Sequence, residues 1–139
     1  MIMRDIETRE DIDELMLEFY RKAVSDELIG YIFTDVAKLD LEHHLPIIGD
    51  FWEMMLFGTV NFPAKYGRSP MQVHHAMNEK ENLKAEHFGR WVKLFCETVD
   101  EKFAGERAEL AKVRAVSIAE TMRIRFSVKS AAGVQLVRG

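Results

Sequence analysis

Apolar residues recur every third or fourth position along most of the chain, and no stretch keeps apolar and polar residues in strict alternation for long, so the pattern predicts helices nearly throughout. The first helix starts at Thr8, a side chain that caps well, and its opening turn is acidic at Glu10 and Asp11, which suits the positive end of the helix dipole. Its buried stripe is predicted as Ile12, Leu15, Met16, Phe19 and Ala23. Asp26 then caps a short segment, Glu27 to Phe33.

A longer helix is predicted over 40–57, with Gly58 as a left-handed stop and Pro46 near its start as a possible kink. This helix carries two apolar stripes: Leu41, Leu45, Ile48, Trp52 and Leu56 on one side, His44, Ile47, Phe51 and Met54 or Met55 on the other. A helix apolar on two sides needs two partners, and in a small chain one of them can be a bound ligand.

Residues 59–68 form a loop. Ser69 and Pro70 then cap and open a short helix, with Gln72 completing a capping box. After a polar connection at 78–84, a helix over 85–103 presents Phe88, Trp91, Val92, Phe95, Val99 and Phe103, and Gly105 stops it. A last helix over 106–126 presents Leu110, Val113, Ala119 and Met122, and the pattern fades after Phe126. The organisation expected is one domain over 1–127 and a loose tail over 128–139, with no internal repeat.

A chain of 139 residues buries roughly 70% of the surface its unfolded form exposes, and an apolar share of 47% is ample for one core. The net charge of -4 comes from mixed charges, so nothing points to nucleic acid. No apolar run approaches a membrane span. The single cysteine, Cys96, excludes an internal disulfide, fits a reducing cytoplasm, and reads as a small buried filler.

Hydrolysis by a nucleophile has no candidate motif here, zinc-protease and di-iron spacings are absent, and no glycine-rich phosphate loop occurs. The histidines carry the remaining chemistry. Adjacent helical residues diverge by about 100°, so His43-His44 and His74-His75 can each send one imidazole inward. His74 shares its face with Pro70, Val73 and Met77, whereas His75 lies beside Met71 and Glu79; His44 aligns with Ile47, Ile48 and Phe51. One inward histidine facing tyrosine, histidine and tryptophan donors suits a haem pocket. Periodicity alone leaves His74 open as an ordinary hydrogen-bonded core histidine, and Tyr20 and Trp91 open as core anchors.

The order and spacing of several pieces narrow this. Phe19-Tyr20, the run Leu28 to Phe33, His44-Leu45-Pro46 through Trp52, Leu56 to Thr59, Pro70 to His74, and Glu86 to Trp91 together resemble the truncated haemoglobins of group III over 6–126. The glycine pairs of the other truncated groups are missing, which agrees with that group. The resemblance implies an all-α, globin-like two-over-two helical sandwich around one haem b, iron protoporphyrin IX. It puts His74 at the proximal iron ligand and Tyr20, His44, Ile48 and Trp91 in the distal pocket. Phe33, Phe51 and Met77 are expected haem contacts, and Lys65, Tyr66 and Arg68 are candidates for the propionates.

The expected ligands are O2, NO, CO or peroxide, with a reductase as a further partner. Two strong donors beside the ligand suit ligand chemistry or sensing better than storage. NO dioxygenation or a peroxidase-like activity is the alternative within this fold, and a cofactor-free helical interaction module is the alternative outside it.

Overall fold

The computed structural model describes residues 3–36, 38–59, 65 and 83–138, with side chains in the last stretch described to Ile124. The helix expected over 70–77, with His74, His75 and Met77, lies outside these residues, as do Tyr66 and Arg68.

The described elements are helix α1 (Arg9–Val24), a π-helical turn (Ile32–Val36), and helices α2 (Leu41–Phe57), α3 (Ala85–Lys102) and α4 (Glu106–Arg138). There is no strand among the described residues, and no described helix is long and apolar enough to cross a membrane. Helix α1 packs on α2 and α3 on α4; the two pairs meet through α1 with α3 and α2 with α4. This is a globin-like two-over-two arrangement.

Local chemistry explains where the helices begin and end. Thr8 Oγ1 accepts the Asp11 N–H at 3.2 Å, and Asp11 Oδ2 accepts the Thr8 N–H at 3.0 Å, a reciprocal capping box. Helix α2 runs on through Pro46 and stops at Gly58, whose φ of 71° lies in the left-handed region that favours glycine. Asp26 Oδ2 accepts the N–H groups of Leu28 and Ile29 at 3.0 and 3.1 Å, as its capping role predicts. The short segment expected over 27–33 is a turn at 27–29 that becomes helical at Gly30 and Tyr31 and passes into the π-helical turn at Ile32. Gly30 fits here because any Cβ would stand 2.7 Å from the Val24 carbonyl oxygen.

The predicted stripe of α1 is wholly buried. In α4 Ala119 and Met122 are buried as predicted, but Val113 is 60% exposed, and the buried face runs instead through Ala108, Ala111 and Ala115. Small side chains let a neighbouring helix come close, and a hydrophobicity stripe weights them too lightly to find that face. Helix α4 also continues past Phe126 to Arg138. No proline interrupts 127–138, and the lone Gly133 costs only about 1 kcal/mol against alanine.

Asp11 also binds Arg4, whose Nη1 lies 2.7 Å from Oδ2. The hydrogen bond from Arg4 outweighs burial and, with the N–H groups of Glu7 and Thr8, holds the carboxyl at about 2 against an ordinary 3.8. A lowered folded-state value means that this stability is present above the unfolded value and lost as pH falls through about 2. In urea unfolding at pH 5, 3.5 and 2.5, Asp11→Asn should be less stable than wild type at pH 5 and should show a shallower acid loss. Parallel pH profiles would refute this role.

Candidate functional site

The two helix pairs leave between them a cavity of about 350 Å³. Its walls are mostly aromatic and aliphatic. Tyr20 comes from α1, Phe33 from the π-helical turn, Ile48 and Phe51 from α2, Phe88 and Trp91 from α3, and Ile118 and Met122 from α4. The polar side chains in the wall are Tyr20, His87, Arg114, Ser117 and Thr121.

Tyr20 is the buried polar group of the α1 wall. Its hydroxyl lies 3.1 Å from His44 Nε2, and its ring meets Phe33 and His44 edge-on, with centroids 5.7 and 5.3 Å apart. Burial pushes its phenol well above the ordinary value, so the hydroxyl keeps its proton at neutral pH. Which of the two donates in this contact depends on the imidazole tautomer; the phenol can both give and accept a hydrogen bond.

Trp91 stands across from this wall in an aromatic frame. Its ring stacks on Phe95 at 5.6 Å and 23°, and meets Phe19 edge-on at 6.0 Å. Phe95 in turn stacks on Trp52 at 4.8 Å and 20°. Trp52, only 2% exposed, is a core residue whose ring edge also reaches the cavity. Among the described residues the Trp91 indole N–H has no hydrogen-bond acceptor, although the side chain lines the cavity. An indole nitrogen can only donate, so this one is available to an acceptor in the space beside it.

Of the residues singled out from sequence, Tyr20, Phe33, Ile48, Phe51 and Trp91 line this one cavity. His44 stands one hydrogen bond behind Tyr20. His74 and Met77 lie outside the described residues. Lys65, a propionate candidate, has its ammonium 2.6 Å from Asp50 Oδ2, a carboxylate buried in α2 that Arg9 Nη1 also reaches at 2.7 Å.

Sequence reasoning did not assign His87, Ile118 or Met122 to the cavity. His87 is 8% exposed; its Nδ1 accepts the Lys84 N–H at 2.9 Å, and Nε2 lies 3.4 Å from the Tyr31 hydroxyl. Its position one turn before Trp91 on the same helix face was the available signal. Ile118 and Met122, also one turn apart, carried a weaker one.

No family model matches this chain, and no curated protein matches it. Among solved structures it is similar to the crystal structure of a group III truncated hemoglobin from Campylobacter jejuni. The two are 27% identical, the match covers 90% of this chain and 95% of that one, and the TM-score is 0.75. Fold and cavity together therefore define a globin-type protein. The likeness to the group III truncated hemoglobin is a fold-level relationship.

Proposed function

We propose that this protein holds haem b in the cavity and binds O2 and other diatomic ligands there, tightly enough for ligand chemistry or sensing rather than storage. The observation that carries this reading is the pairing of a proton-bearing buried phenol, Tyr20, with the indole N–H of Trp91, which has no acceptor among the described residues, in one largely apolar cavity.

The described residues fit such a group. Phe33, Ile48 and Phe51 offer flat or aliphatic surface to an apolar macrocycle, and apart from His87 the one acidic or basic side chain among the described lining residues is Arg114. His74 is the proposed iron ligand; a neutral imidazole binds iron well and needs an acceptor for its other ring N–H. When bound, haem supplies an iron with an open position for a diatomic ligand. A polarised ligand carries partial negative charge, and Tyr20 and Trp91 donate to it; His44, behind Tyr20, is the hydrogen-bond partner of the phenol.

NO, CO and peroxide enter the same space by the same chemistry, and chemistry on a bound ligand implies electrons from a reductase. Burial raises the pKa of the half-buried thiol of Cys96 above its ordinary value, which disfavours the nucleophilic thiolate.

Reconstitution tests the reading directly. Wild type should take up one haem and show a strong Soret band. His74→Ala should pass its haem to an apoprotein acceptor about a hundredfold faster or more, since even partners one bond removed from metal ligands change affinity by 10–100-fold. Full retention with unchanged axial ligation would remove His74 from the iron. A wild-type protein that stays colourless would favour a cofactor-free helical module.

A further inference from the structure

Two contacts tie the start of α3 to the connection between α1 and α2, and ligand binding as proposed uses neither. Asp26 belongs to that connection: its N–H bonds the Ala23 carbonyl at 3.2 Å, and its carboxylate accepts from Leu28 and Ile29. The Arg90 guanidinium closes on the same carboxylate, with Nε 3.1 Å from Oδ1 and 3.2 Å from Oδ2. The Asp26 side chain is 10% exposed and that of Arg90 32%. Burial pushes the Asp26 carboxyl up, but the hydrogen bonds from Ile29, Leu28 and Arg90 together overcome it and keep the group anionic. One turn earlier on α3, His87 faces the Tyr31 hydroxyl. Since His87 Nδ1 accepts a backbone N–H, its Nε2 carries the proton in that contact.

Arg90 and Trp91 are neighbours on α3 and point about 100° apart. When Arg90 is held against Asp26, the rotation of this turn about the helix axis is held as well, and the indole follows. A donor keeps its hydrogen bond only if it is placed within about 0.5 Å and 10–20°. The stacked ring of Phe95 and the edge-on ring of Phe19 restrain the indole itself, and the ion pair adds a restraint on the helix turn that carries it.

We propose that Asp26 and Arg90 are positioning residues for Trp91: their ion pair sets the rotation of α3 and aims the indole N–H into the cavity. This rests on the haem-globin reading above.

The test is oxygen dissociation from the reconstituted protein in Arg90→Met, Asp26→Asn, Trp91→Phe and their pairs. Asparagine keeps the capping acceptor and loses only the charge, so Asp26→Asn separates the ion pair from the turn. Arg90→Met and Asp26→Asn should each speed dissociation on the order of threefold to tenfold, the share of one hydrogen bond that a misaligned donor forfeits. Neither should add to the rate of Trp91→Phe.

The indole resonance of Trp91 in a nitrogen–proton correlation spectrum, assigned by its loss in Trp91→Phe, gives a readout without ligand. It should shift in both ion-pair variants while that of Trp52 stays in place. An unchanged rate in Arg90→Met, or the same acceleration in the Trp91→Phe background, would overturn the proposal and leave the ion pair a structural tie. Failure of wild type to take up haem would count against the reading of the cavity, and the indole shift would still decide whether the pair positions Trp91.

Discussion

Replacing both donors at once, Tyr20→Phe with Trp91→Phe, is expected to speed oxygen release by about two to four orders of magnitude. Each hydrogen bond to a charge-bearing acceptor is worth ~1.5–3 kcal/mol, and about 1.4 kcal/mol is one decade in rate or affinity. Both substitutions keep an aromatic ring in place: Phe19 still meets ring 20, 5.1 Å away, and Phe95 still backs ring 91. The effect therefore reads the lost donors rather than a collapsed wall.

The single variants need not sum to the double, because Phe19 touches both rings and couples them. His44→Leu should not mimic Tyr20→Phe. It removes the hydrogen-bond partner of the phenol and leaves the phenol itself in place. Stopped-flow displacement of oxygen by carbon monoxide measures all of these rates. A double variant within about threefold of wild type would mean that neither group donates to the ligand, at odds with the ~1.5–3 kcal/mol expected of each bond.

Phe95→Ala is expected to cost about 3–5 kcal/mol of folding stability, a large fraction of the roughly 5–15 kcal/mol that holds a domain of this kind together. Phe95 is fully buried, lies between the planes of Trp52 and Trp91, and meets Phe19 edge-on at 5.5 Å. Deleting the ring removes contacts to three aromatic neighbours and joins the new void to the existing cavity, so neighbours cannot close over it cheaply. Phe95→Leu refills most of the volume and should cost under about 1.5 kcal/mol. Urea unfolding of the protein checks this: the midpoint should fall for Phe95→Ala while the slope against denaturant stays near wild type. A loss below about 1 kcal/mol would mean that the stack is less central than its burial implies.

Much of the fold was already legible in the chain. The stripe of α1, the stop at Gly58 and the caps at Thr8 and Asp26 are local: each depends on side chains within one or two helical turns, so spacing alone announces them. Tyr20, Phe33, Ile48, Phe51 and Trp91 were legible for a different reason, as pieces in a recognisable order rather than as a pattern that periodicity singles out.

Tertiary structure alone decided what depends on residues distant in sequence. The first turn of α4 is capped by Asp5, whose carboxylate accepts the N–H groups of Arg107 and Ala108 at 2.9 and 2.8 Å across a hundred residues of chain. The inward face of α4 is mostly alanine, a face set by packing against neighbouring helices that hydrophobicity alone does not pick out. Asp50 is buried because Arg9 of α1 and Lys65 neutralise it there. The chain by itself determined where most helices begin and the apolar face of α1, since these are set by neighbours a few residues away. The folded molecule determined which distant caps, charges and donors meet, because only packing brings those partners within hydrogen-bonding distance.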